Sequence, residues 1–157
     1  MYYHLFLSVA KTFDLVHLPM DAVRIQIAGV STLAEARRLV ALGVDGLGFT
    51  LRLPSGVHDG LTGEAARAIV AALPPLVGTV AITYITDCAE AVAFCRALGV
   101  NTLQLHAPVA PGVITAIKAA EPALKVIKSV NVTGQDSIAV ALRERPLKAN
   151  TRFETAS

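Results

Sequence analysis

Tryptophan is absent, aromatic residues make up 5% of the chain and charged residues 17%. The two cysteines, Cys88 and Cys95, form neither a CxxC pair nor a disulfide framework. That usage fits a reduced, cytoplasmic protein. The four histidines, His4, His17, His58 and His106, lie far apart with no metal-ligand spacing. No metal and no cofactor is therefore expected. No apolar run approaches the ~20 residues of a membrane span. The short run Leu5–Ala10 lacks the basic flank and the length of a secretory signal. Excess charge is also missing. Lys and Arg number 14 against 12 Asp and Glu, a net charge of +2. Arg143, Arg145, Lys148 and Arg152 against Glu144 and Glu154 account for that whole excess. The rest of the chain balances to zero, so it has no basic surplus to present to nucleic acid.

What the chain does have is apolar material. Hydrophobic residues are 54% of its 157 positions, enough for one domain with a sizeable core. From Asp21 onward a single unit recurs. Apolar, β-branched runs read as buried strands at 23–27, 46–51, 79–85, 102–105 and 125–130, with a weaker one at 147–150. Helical patterns lie between them. Thr32 with Glu35 is a capping-box signature, and that helix stops at Gly43. Thr62 caps a stretch that halts before Pro74, and Asp87 caps one that ends at Gly99. Pro111 sits where a first-turn proline belongs. Asp136 is placed to cap a last helix, 137–145. The segment 1–20 stands apart and reads as an extension ahead of the domain; the alternative is a helix or strand packed on it.

Most strand starts are about 23 residues apart. Strands separated by helices, without hairpin signals, pair in parallel. A doubly wound sheet and an incomplete (β/α) barrel both satisfy this pattern. A complete (β/α)₈ barrel takes about 200 residues or more. In both architectures ligands bind at the carboxyl ends of the strands. The positions there are Ala28 and Gly29, Arg52, Thr86 and Asp87, His106, Lys128 and Asn131, and Asn150. Gly46 and Gly48 are not a dinucleotide fingerprint, because Leu51 stands in place of the third glycine and the pair lies inside a strand. His106, two residues after Gln104, reads either as a substrate-facing group or as a hydrogen-bonded interior histidine. Lys128 suits an anion or carboxylate partner better than a Schiff base. Arg52, ahead of Pro54, is the anion-binding candidate of the long loop, or else a solvated arginine. Cys88 and Cys95 fall on the apolar stripe of their helix and read as core.

Five motifs in order resemble the phosphoribosylanthranilate isomerase family. Residues 23–31, VRIQIAGVS, resemble its first strand, where the family pattern is K-I-C-G-[IV]-[ST]. Residues 43–49, GVDGLGF, resemble its second strand, and AALPP at 71–75 the end of its second helix. LQLH at 103–106 resembles the family's Q-L-H-G with Ala107 for the glycine, and VIK at 126–128 resembles the fifth strand. The resemblance implies a (β/α) barrel of TIM type, here incomplete with about five to six β/α units, within residues 21–157. It implies a step of tryptophan biosynthesis, an Amadori rearrangement of a phosphoribosyl anthranilate. It also implies a cysteine base and an aspartic acid as general acid. The base position is Ala28 and the acid position Asn150, so no catalytic group is intact. The substrate-binding positions carried over are Arg52, Gln104, His106 and Lys128. Family phosphate loops follow strands seven and eight, beyond what this sequence holds. The expectation is an inactive or impaired isomerase-like protein whose ligand, if any, is a sugar phosphate. A non-catalytic or divergent sugar-phosphate barrel is the alternative. The chain is also expected to form a homo-oligomer, with Val23, Ile25 and Ile27 as an uncovered inner face.

Overall fold

Each helix begins where a side chain satisfies its first free N–H groups. The computed structural model describes residues 5–7, 24–54 and 61–130, the first of these as backbone only. In α1 (Leu33–Ala41) the Thr32 hydroxyl accepts from Glu35 N, while the Glu35 carboxylate accepts from Ser31 N. Thr62 caps α2 (Gly63–Ala71) and Asp87 caps α3 (Cys88–Leu98) in the same way. Pro111 opens α4 (Pro111–Ala120), where the N–H it lacks would have had no helical partner. Gly99 closes α3 with φ +75°, a left-handed cap that glycine adopts without strain.

The strands are β1 (Leu5–Leu7), β2 (Ile25–Ala28), β3 (Gly46–Thr50), β4 (Gly78–Thr83), β5 (Thr102–Leu105) and β6 (Lys125–Lys128). They form one sheet in chain order. β2 to β6 pair in parallel. Sequential parallel strands with a helix in each crossover are the wall of a (β/α) barrel; a doubly wound sheet would reverse direction at a switch point. The architecture is a partial α/β barrel. β1 pairs antiparallel with β2, Leu5 opposite Ile27 and Leu7 opposite Ile25. A strand from the first twenty residues thus lies on the edge of the domain. The weak strand 147–150 and the helix 137–145 lie outside the described residues.

The register sorts side chains onto two faces, since parallel partners point the same way. Ala28, Gly48 and Val80 are partners, as are Thr50, Ile82 and Gln104. Ala28, Val80 and Ile82 make a small buried cluster on this inner face. Leu47, Phe49, Leu103 and Leu105 face the helices and join Ala36, Ile69, Phe94, Cys95 and Ile117 in the main core. Ile27 packs against that core, which corrects the expectation of an uncovered inner face on 23, 25 and 27. The inner residues of β2 are instead Gln26 and Ala28. Ile25 is 42% exposed, and Val23 lies outside the described residues.

At the amino ends of β4 and β5 the sheet is tied by side chains. Asn101 Oδ1 accepts from Thr79 N at 3.1 Å, and Asn101 N donates to Thr79 Oγ1 at 3.1 Å. Arg24 binds Asp45 at 2.7 Å where β2 begins. Arg96 on α3 reaches Glu121 after α4 at 2.7 Å. These ties leave the opposite, carboxyl end of the strands open for a site.

Candidate functional site

Five parallel strands, β2 to β6, end at that carboxyl edge. β2 ends at Ala28, which is buried, and the chain then turns back so that Gly29 N and Val30 N both donate to Gly48 O at 3.0 and 3.1 Å. This close approach requires glycine at 48. A Cβ there would stand 2.6 Å from Ile82 Cδ1 and 3.1 Å from Ala28 Cα.

The polar part of the site spans the sheet from β2 to beyond β6. Gln104 is 2% exposed, and its whole amide is engaged. Its Oε1 accepts from Gln26 Nε2 at 2.8 Å. Its Nε2 donates to Ser129 Oγ at 3.2 Å and meets His106 Nε2 at 3.3 Å. Residues 26 and 104 are not partners in the hydrogen-bond register. The stagger of barrel strands brings them to one height, and Gly46 leaves room for the Gln26 side chain, whose Cγ lies 3.7 Å from where a Cβ at 46 would stand. His106 N donates to Thr83 O at 3.0 Å, which holds the chain as it leaves β5. The His106 ring lies 5.7 Å from that of Tyr84, tilted by 47°. The network is built from two amides, a hydroxyl and an imidazole, and is rich in donors and acceptors. It suits hydroxyl and carbonyl groups better than a bare charge.

Of the positions expected from sequence, Gln104 and His106 are brought together, with Ala28 on the same inner face. Arg52 and Lys128 are not. Arg52 has φ +57° and turns outward. Its guanidinium pairs with Glu90 and lies 4.6 Å above the Phe94 ring. There it lines a groove of about 730 Å³ between α2 and α3, with Leu51, Leu61 and Thr62. Lys128 is the register partner of Leu105, on the helix-facing side, and its Nζ donates to Ser129 O at 2.6 Å. Strand periodicity explains both sides of that difference: Ile127 beside Gln104 faces in, so Lys128 faces out. Asn150 lies outside the described residues. Asp87 commits its carboxylate to the cap of α3, accepting from Glu90 N at 2.8 Å.

Sequence reasoning missed Gln26, Ser129 and Tyr84 as parts of the site. Gln26 carried a usable signal, a polar amide inside an apolar strand and in step with Ala28. Cys95 is core, as its helical stripe predicts, and burial pushes its thiol up to about 11. Among the described residues no group of three or more His, Cys, Asp or Glu is placed to hold a metal ion.

No family model matches the chain. The N-(5'-phosphoribosyl)anthranilate isomerase of Pseudomonas fluorescens strain Pf0-1 is 31% identical over 136 residues, which are 87% of this chain and 63% of that protein. The solved phosphoribosyl anthranilate isomerase of Thermotoga maritima matches with a TM-score of 0.68 at 27% identity, over 76% of this chain and 56% of that one. A second structure from that organism, described as monomers generated from a dimeric phosphoribosylanthranilate isomerase, matches with a TM-score of 0.69 at 26% identity, over 78% and 59%. The chain spans 37%, 63% and 55% of three such curated relatives. Collinear motifs, a parallel strand order and a shared backbone thus agree, and the chain belongs to the phosphoribosylanthranilate isomerase family.

Proposed function

We propose that this chain carries the amino-terminal wall of an isomerase-type sugar-phosphate barrel and does not catalyse the family's rearrangement by the family's route. The observation that carries this reading is Ala28. It ends β2 on the inner face, buried, at the position that matches the family's cysteine base. The Amadori rearrangement needs a proton taken from C2 of the sugar, and a methyl group accepts none. Losing one acid–base group typically lowers a rate by ~10²–10⁴. The amide Asn150 at the matching acid position adds a second loss. In this proposal His106, joined by Ser129 and Tyr84, contacts the hydroxyl groups of the sugar, and Gln104, whose buried amide is already engaged, holds His106 in place. Arg52 and Lys128 belong to the carried-over binding set, but the groove over α3 and the Leu105 side of β6 offer them no shared ligand with His106. We take the barrel portion as 21–157, with 1–20 an extension. We place the protein in the cytoplasm, a compartment that suits its two free cysteines, Cys88 and Cys95.

The second reading is self-association, favoured by the dimeric Thermotoga relative. A closed eight-stranded barrel has no edge, whereas among the described residues the sheet runs from β1 to β6 without closing on itself. Light scattering on dilute purified protein tests this; a monodisperse monomer would overturn it.

The isomerase reading is tested by following the fluorescence change of phosphoribosylanthranilate with purified full chain. The expected result is no turnover above the uncatalysed rate, and tighter binding of a ribulose phosphate analogue by wild type than by His106→Ala. Turnover at an ordinary enzymatic rate, retained in His106→Ala, would refute it.

A further inference from the structure

Every donor and acceptor of the buried Gln104 amide faces a defined partner, and this has a directional consequence. Gln26 Nε2 donates to Gln104 Oε1 at 2.8 Å, so the other end of the Gln104 amide, Nε2, is turned to Ser129 Oγ at 3.2 Å and His106 Nε2 at 3.3 Å. An NH₂ group only donates. The imidazole nitrogen it meets must therefore be the acceptor, and the ring proton must sit on Nδ1. Turning the Gln104 amide over against an unchanged Gln26 would set NH₂ against NH₂ and lose the 2.8 Å contact between them. We propose that Gln26 and Gln104 form an amide relay that sets the tautomer of His106 from across the barrel. Gln104 is the positioning residue, and Gln26, on β2, acts through it.

The relay bears on the site proposed above, although it does not depend on turnover. While it holds, the Nε2 lone pair of His106 is committed to Gln104. That nitrogen cannot take the proton that Ala28 is unable to accept. The histidine is a fixed hydrogen-bonding group at the strand ends, and the missing base is not replaced at Nε2. Gln26 is invisible to any list of ligand-contacting residues, yet reversing its polarity reverses the chain of hydrogen bonds. A carboxylate at 26 only accepts, so Gln104 must present Nε2 to it and Oε1 to the ring, which then carries its proton on Nε2. An ammonium at 26 only donates, and leaves the relay as it is.

The test is long-range ¹H–¹⁵N correlation of the imidazole nitrogens in the ¹⁵N-labelled full chain, at about pH 9 where an ordinary histidine is neutral, with the ring assigned by His106→Gln. Wild type and Gln26→Lys are expected to show the Nδ1–H form in about two- to tenfold excess, the worth of one hydrogen bond. Gln26→Glu is expected to invert that ratio. Gln26→Met, uncharged and close in shape, removes the donor and should bring the two forms toward equal amounts, so a Gln26→Glu chain that fails to fold leaves the relay testable. The Nε2–H form in wild type, or an unchanged ratio in folded Gln26→Glu or Gln26→Met, would overturn the relay. Since the readout is a ring nitrogen, a failure here leaves the isomerase reading standing, and measured turnover leaves the relay standing.

Discussion

Gly48 is the position where one added methyl group tests the packing of the inner face. Replacing a strand glycine with alanine ordinarily stabilises by about 0.4–1 kcal/mol, through the unfolded chain, where the site has room. Here it has none. The new Cβ would stand 2.6 Å from Ile82 Cδ1 and 3.1 Å from Ala28 Cα, with Ala28 Cβ at 3.4 Å. The first contact is the end of a side chain and can swing away. The second is backbone in the register partner of Gly48, and moving it strains the pairing of β2 with β3. Overpacking of this kind typically costs about 1–3 kcal/mol. With a urea slope of about 1–3 kcal/mol per molar, the midpoint should fall by roughly 1 M at unchanged slope. Ile82→Val removes the Cδ1 atom and alone costs about 0.5–1.5 kcal/mol. The double substitution should be less damaging than the sum of the two by about 1 kcal/mol. The residue left over is the share borne by Ala28 Cα. Gly63→Ala and Gly112→Ala serve as controls, since nothing lies within 4 Å of a Cβ at either site, and both should be neutral or stabilising. A Gly48→Ala chain as stable as wild type would refute the reasoning.

Three further outcomes are expected. Asn101→Ala removes the acceptor of the buried Thr79 N–H and the donor to Val77 O, and should cost about 1–3 kcal/mol, with faster hydrogen exchange at the Thr79 amide. The Ile25 amide and the Arg24 guanidinium hold Asp45 below the usual carboxylate range, so its contribution is present above the unfolded pKa and is lost as pH falls through the folded one; Asp45→Asn should lower the urea midpoint at neutral pH and flatten its acid decline. The Cys95 thiol, raised from 9.0 to about 11, contributes stability below pH 9.0 that is lost as pH climbs toward 11; Cys95→Val should flatten that alkaline decline, and iodoacetamide at pH 8 should label half-buried Cys88 well before Cys95.

Local physics was legible in the residues themselves. Thr32, Thr62, Asp87, Pro111 and Gly99 act within one turn of their own position, so each helix boundary follows from side chains a few residues apart. The five apolar runs were equally plain, since a strand buried on both faces must be apolar throughout. The facing of each strand was not plain, for the same reason: a run apolar on both sides carries no alternation to say which side is the barrel interior. Only pairing decided that Gln26 and Ala28 look inward while Ile27 and Lys128 look out. Arg52 was placed correctly at a strand end, but its direction was set by Glu90 and Phe94, residues of a later helix. The pairing of β1 with β2 rests on three residues, too few for periodicity to mark. Gln26 and Gln104 stand 78 residues apart, and no spacing rule joins them. The strand stagger and the missing side chain of Gly46 bring their amides into contact, and both are properties of the assembled sheet.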